Sequence, residues 1–206
     1  VHDTVSAIVK NNQCDEAGAA AIWLRGPGCV EQNTIRATDK GVGVHVEGAG
    51  GVISCNKVDH LKTGIEAAAT DGILLDGNTV RWCATGVIVR DSTAPVIRVT
   101  NGQACAGSCI VVIGSTACRV EENILGGSAR GVWVQASDGA VLRNTVTDCS
   151  NAAIKADKRC IIEIGNNNLS GSNAEGICIH DSTPTVHDNT ITGLASGQTA
   201  IIIRDS

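Results

Sequence analysis

Val141-Leu142-Arg143-Asn144-Thr145-Val146 places an aliphatic residue three positions before an asparagine and another two positions after it. The arrangement returns along the whole chain, at Asn33/Ile35, Asn56/Val58, Asn78/Val80, Asn123/Leu125, Asn144/Val146, Asn167/Leu169 and Asn189/Ile191. The gaps between these anchors are 23, 22, 45, 21, 23 and 22 residues, and the 45 is two repeats around an imperfect anchor at Thr100 or Asn101. Upstream of the anchors, Val30, Ile53, Leu75, Val120, Val141 and Val186 all stand at anchor minus three. Eight positions after most anchors comes a small residue and then an apolar alternation, as in Gly64-Ile65-Glu66-Ala67, Gly86-Val87-Ile88-Val89 and Gly131-Val132-Trp133-Val134. A fixed period with alternation inside it means one supersecondary unit copied along an axis.

Each repeat reads as three short strands, with no stretch of helical period and no connection long enough for a crossover helix. The economical solution is an all-β parallel helix of about nine coils of about 22 residues, every strand pairing with its equivalent one coil on. At roughly 4.8 Å per coil the rod is about 43 Å long. The asparagine is expected to bend the chain, since it tolerates the left-handed region, and to bond to its equivalents along the axis. Composition agrees, with no Phe, Tyr or Met, three Trp and 24 Gly. Small and branched aliphatics suit a narrow bore, and Pro27, Pro95 and Pro184 fall in turns. Residues 1–206 form one domain without a linker. Val1-His2-Asp3-Thr4 and Ile203-Arg204-Asp205-Ser206 both match the internal turn Ile179-His180-Asp181-Ser182, so the chain is expected to be a piece of a longer protein.

Cys83, Cys105 and Cys149 share a core-facing register position with Leu61 and Leu194, and Cys118 and Cys160 are expected to share that of Pro95 and Pro184. Cysteine here stands in for small apolar residues, and in-register neighbours point the same way, a poor geometry for a bridge. Ten buried, unbridged thiols would favour a reducing, cytoplasmic location. There is no CxxC pair, and neither a metal nor a cofactor is implied. A net charge of −5 without a basic stripe argues against nucleic acid, and nothing supports membrane attachment.

The candidates for acid–base chemistry are His45, Asp59, His60 and Glu66; the plainer reading makes Asp59 and His60 corner residues and His45–Glu66 a surface pair across coils. Glu121 and Glu122 face Arg98 and Arg143 one coil away and read as ion-pair ladders. Asp91, Asp181 and Asp205 recur at one turn position and read as turn residues. The outward position of the Gly-Ile/Val strand runs Trp23, His45, Glu66, Ile88, Val111, Trp133, Lys155, Cys178, Ile202. Ile88, Val111 and Trp133 are consecutive and predict an apolar strip flanked by Glu66 and Lys155. Such a strip is a contact surface for a protein partner, for the rest of the parent chain, or for a glycan.

Pro184-Thr185-Val186-His187-Asp188-Asn189-Thr190-Ile191, followed by a Gly-Ile/Val strand, resembles the PbH1 repeats of the right-handed, pectate-lyase-like β-helix superfamily. It is similar to the "carbohydrate-binding protein and sugar hydrolase" repeats of NosD-like proteins, surface-layer proteins, alginate epimerases and F-box-associated receptors. Arg119-Val120-Glu121-Glu122-Asn123 and the Val141–Val146 coil resemble the F-box group most. The resemblance covers the whole chain and implies fold far more than function. The pectinase Asn-Thr-Asp, Asp-Asp and Gly-His-Gly signatures and the epimerase Asp-Pro-His motif are absent, so no catalytic residue carries over. The reading is a non-catalytic binding or scaffolding module, against a polysaccharide lyase, hydrolase or epimerase, and against a structural rod.

Overall fold

The computed structural model describes residues 6–205 except 17 and 39; the opening Val1-His2-Asp3-Thr4 lies outside the described residues. The described residues form a right-handed parallel β-helix of three nine-stranded sheets. Sheet A runs from Ala7–Lys10 to Thr183–His187, sheet B from Gln13–Asp15 to Thr190–Thr192, and sheet C from Ala20–Arg25 to Ile201–Arg204. Every third strand pairs in parallel with its predecessor. The register follows the repeat, with Ile53 opposite Leu75 opposite Ile97 in sheet A and Val58 opposite Val80 in sheet B.

The bore is built from columns of identical position. Val30, Ile53, Leu75, Val120 and Val141 are buried, at 0–1% exposure, and each such side chain contributes roughly 1.5–3 kcal/mol of transfer free energy. Val186, in the last sheet A strand, is only partly buried. In sheet B, Ile35, Val58, Val80, Leu125, Val146 and Leu169 form a second column, interrupted at Gly102. There Cys109 takes up the missing volume. It sits where Gly86 and Gly131 sit in the adjacent coils, and a Cβ added at Gly102 would lie 3.0 Å from Cys109 Cβ.

The asparagines form the expected axial ladder. Asn33 Nδ2 donates to Asn56 Oδ1 at 3.0 Å and Asn56 Nδ2 to Asn78 Oδ1 at 3.1 Å. Asn123, Asn144, Asn167 and Asn189 continue it at 2.9, 3.0 and 2.9 Å. Each amide also holds a carbonyl of the preceding coil, as Asn144 Nδ2 holds Val120 O at 2.9 Å. Asn12 belongs to the ladder too, through Asn33 Oδ1 at 3.0 Å. The sequence pattern misses it because Cys14 occupies its aliphatic position. The asparagine does not itself make the bend. The left-handed residue precedes it, with φ of 56° at Gln32, 55° at Cys55 and 54° at Arg143. Once that residue has turned the chain, the following side chain points inward to the ladder.

A second ladder lies at the turn between sheets C and A. Thr70, Ser92, Ser115 and Ser137 link hydroxyl to backbone N–H, as in Ser92 N to Ser115 Oγ at 3.2 Å. Cys160 occupies this position, with its N–H on Ser182 Oγ at 3.1 Å. It does not share the position of Pro95 and Pro184; in that column Ile162 faces Pro184. No disulfide joins any of the ten cysteines, and Cys83, Cys105, Cys118 and Cys149 are buried. Desolvation pushes the Cys118 and Cys149 thiols up to about 12.

Candidate functional site

Sheet C carries the outward row in the predicted register, Trp23 opposite His45 opposite Glu66 opposite Ile88 opposite Val111 opposite Trp133 opposite Lys155 opposite Cys178. The in-register pairing turns a single strand position into a straight row, about 4.8 Å per step. The row is not the open apolar strip that its residue types predict. Val111 is 5% exposed, and Ile88 and Trp133 are half-buried. Arg90 packs on Glu66 at one end of the strip, and Arg130 and Lys155 pack on Trp133 at the other.

Two polar clusters result. In the first, His45 Nδ1 meets Glu66 Oε2 at 3.1 Å, and Arg90 pairs with the other Glu66 oxygen. Trp23, 61% exposed, packs edge-on against His45 with ring centroids 5.3 Å apart. Burial lowers the His45 pKa from 6.5, opposed by Glu47 and reinforced by Arg90 and Arg25. The imidazole is therefore neutral at neutral pH, despite its contact with Glu66. In the second cluster, the Arg130 guanidinium stands 4.4 Å from the Trp133 ring centroid and Lys155 Nζ 5.7 Å from it. Trp133 Nε1 donates to Asp157 Oδ2 at 3.2 Å, and Lys155 reaches the same oxygen at 3.4 Å. Arg130 joins no ion pair among the described residues, and its Nε is buried without a hydrogen-bond partner.

His45 and Glu66 thus meet, while Asp59 and His60 stand elsewhere. His60 lies at the corner after sheet B, stacked on Trp82 with centroids 4.9 Å apart. The four residues do not form one acid–base constellation, because the corner directs His60 along the axis to Trp82, away from the face of sheet C. Glu121 and Glu122 are ion-pair ladder residues, as expected. Arg143 bridges both, at 2.7 and 3.1 Å, and Arg119 joins Glu121. The hydrogen bond from Arg119 holds the Glu121 carboxyl below the usual carboxylate range. Arg98 turns to Asp76 instead, at 3.1 Å. Asp91, Asp181 and Asp205 are left-handed turn residues, with φ of 52°, 44° and 55°. Arg90, Arg130 and Asp157 were not singled out by sequence. Their signal is weak, since each lies two or three places from the periodic row, where residue type varies from coil to coil.

Residues 28–206 match the family model described as periplasmic copper-binding protein, NosD. The chain belongs to the NosD family. No curated protein matches it in sequence. Among solved structures it is similar to the alginate lyase of Paenibacillus sp. str. FPU-7, at 12% identity and TM-score 0.69, covering 97% of this chain and 91% of that one. The A-module of the Azotobacter vinelandii mannuronan C-5 epimerase AlgE6 gives 10% identity and TM-score 0.72, covering 98% and 72%. PfbA, a surface adhesin of Streptococcus pneumoniae, gives 14% and 0.70, covering 94% and 61%. This NosD-family chain spans 47% of the length of a periplasmic alginate epimerase, AlgG, that it also resembles. At these identities the likeness is one of fold.

Two consequences follow from the family. The expected cytoplasmic location is overturned, because the family is periplasmic by its description. A buried thiol with a raised pKa is inert in either redox compartment, so the buried cysteines do not report which one surrounds the chain. Copper is the second matter. Among the described residues no group of three or more His, Cys, Asp or Glu converges on one point. The soft donors Cys178 Sγ and His180 Nε2 lie 3.2 Å apart. Two donors already bonded to each other fall short of the three- or four-donor sets that hold copper, so these residues do not fit a resident copper ion.

Proposed function

We propose that this NosD-family β-helix is a non-catalytic binding module that lays an acidic polysaccharide along the outer face of sheet C. One observation carries the reading. Arg130 lies over Trp133 beside Lys155, with no carboxylate of its own and with an unsatisfied buried Nε. A guanidinium is the preferred partner of a planar carboxylate, and an indole beneath it holds it in place at small entropic cost. A sugar bearing a carboxylate supplies both the missing anion and a ring to lie against the half-buried indole. Beyond the buried Val111 the same face carries Glu66, His45 and the exposed Trp23, which offer further contacts along the row. The sugar-acting enzymes among the similar structures support a glycan over a protein partner. The closed state of the Ile88–Val111 strip removes the main argument for a protein partner.

Titration with oligomannuronate should show saturable binding that Arg130→Gln and Trp133→Ala each weaken while the melting temperature holds. Unchanged affinity in both variants would refute the assignment.

A catalytic reading is favoured by the first cluster alone. A neutral His45, oriented by Glu66 and with Arg90 close by, is a base beside a cation, the minimum for removing a proton next to a sugar carboxylate. Incubation with alginate distinguishes the two. Unsaturated or C-5-inverted products that vanish in His45→Ala would replace the binding reading with the enzymatic one.

A further inference from the structure

The corner between sheets B and C holds a feature that the sheet C reading does not use. Successive coils place His60, Trp82, Ala104, Gly127, Asp148 and Gly171 in one column. All are left-handed, with φ of 59°, 51°, 55°, 62°, 54° and 66°. The corner demands that conformation, and Ala or Gly satisfies it in neighbouring coils. A bulky aromatic is a costly choice there. Yet Trp82 is 50% exposed, and its ring stacks on His60 at an interplanar angle of 29°. The fold gains little core from this indole, so its presence calls for a partner.

Clefts flank the stack on both sides. One, of about 400 Å³, mixes charged and apolar walls and is lined by Asp15, Glu16, Arg36, Ala37, Thr38 and His60. The other, of about 410 Å³, is an apolar shelf of Leu61, Cys83, Ala84, Ala104 and Ala106 beside Trp82. Both volumes fall within the roughly 300–1,000 Å³ typical of small-ligand sites. His60 Nδ1 is buried without a hydrogen-bond partner. An aromatic plate between an apolar shelf and a cleft of donors and acceptors matches one class of ligand: a pyranose, whose flat C–H face stacks while its rim hydroxyls take hydrogen bonds. Charge narrows the class. The first cleft sets two carboxylates, Asp15 and Glu16, against one guanidinium, Arg36, and so disfavours a polyanion.

We propose that the His60–Trp82 stack is a binding site for a neutral glycan of equatorially linked pyranoses, distinct from the sheet C face and from its acidic ligand. A β-1,4-linked glucan presents the flattest such rings, so cellohexaose is the probe.

The test is a titration of the intact chain with cellohexaose, followed by tryptophan fluorescence and by the indole N–H resonances. Trp82→Ala should fold, since Ala104 occupies the same column position one coil on, and should lower affinity by roughly tenfold or more, the scale of a tryptophan anchor. Arg36→Ala should weaken binding without touching the stack, and Trp133→Ala should leave it unchanged. No saturable binding of cellohexaose would overturn the proposal. So would binding that survives Trp82→Ala but is lost in Trp133→Ala, which would move the sugar to sheet C. Displacement of cellohexaose by oligomannuronate would also overturn it. Absence of cellohexaose binding leaves oligomannuronate binding at Arg130 untouched, and Arg130→Gln leaves the stack untouched, so the two assignments can fail separately.

Discussion

Asn78 lies one coil before Thr100, and between them the buried amide ladder is broken. Asn78 Nδ2 still holds Ile53 O at 2.8 Å, and Thr100 N–H still donates to Asn123 Oδ1 at 2.9 Å. Thr100 supplies no carboxamide to join the two, and its buried Oγ1 has no hydrogen-bond partner. Thr100→Asn restores the ladder by giving Asn78 an acceptor and Asn123 a second donor. The expected gain is about 1–3 kcal/mol, the net value of two added hydrogen bonds. Asn144→Ala should lose about 1–3 kcal/mol by removing the acceptor of the buried Asn123 N–H and the donor to the Val120 carbonyl. Asn173, off the ladder, should lose far less as alanine. Urea unfolding of the three variants checks the order; equal losses for residues 144 and 173 contradict it.

Gly102 and Cys109 compensate each other's volume in the same coil. Gly102→Val overfills that space, and Cys109→Gly empties it; each should cost about 1–3 kcal/mol. The double variant re-creates the arrangement of neighbouring coils, such as Val80 with Gly86 one coil before, and should recover most of the loss. A double-mutant cycle with no coupling would show that the two sites are independent.

His187 and His45 should titrate on opposite sides of 6.5. Hydrogen bonds to Asp188 and then to Glu163 raise the His187 pKa. Folding therefore favours its charged form. That contribution is whole below 6.5 and is lost as pH rises through the folded value. Burial lowers His45, so folding favours its neutral form, and that contribution is lost as pH falls from 6.5 through the folded value. NMR titration of the two imidazole C–H signals reads both midpoints. A His45 midpoint above 6.5 would mean that Glu66, not burial, governs the ring.

Thiol reactivity should follow depth. Exposed Cys55 should be alkylated first under native conditions, and Cys118 and Cys149, pushed up to about 12, only after unfolding. All ten should react in denaturant without reductant. A count several short of ten would reveal bridges and contradict the packed-thiol core.

The fold was legible because period and alternation are local properties of the chain. The asparagine ladder was legible for the same reason, and the serine ladder could have been: Thr70, Ser92, Ser115, Ser137 and Ser182 recur at the repeat spacing but look like ordinary turn residues. The coil around Thr100 was obscure because Gly102 is rescued by Cys109, a contact between strands of different sheets. Sheet C's face was half legible. The row of Trp23, His45, Glu66 and Trp133 follows from the register, but the low exposure of Val111 and the packing of Arg90 on Glu66 and of Arg130 and Lys155 on Trp133 are specified by no period. Val99 shows the same limit, a β-branched residue at φ 53° in the bend position that Gly77 and Arg143 fill elsewhere.

The account rests on Arg130 and Trp133 as the contact point for an acidic polysaccharide, and an NMR titration of labelled protein with mannuronate hexamer tests it most directly. The Trp133 indole N–H and the Arg130 Nε–H should shift together and saturate, with the Trp82 indole N–H unmoved. Saturable shifts confined to other faces, or no shift at all at hexamer concentrations in the millimolar range, would contradict it.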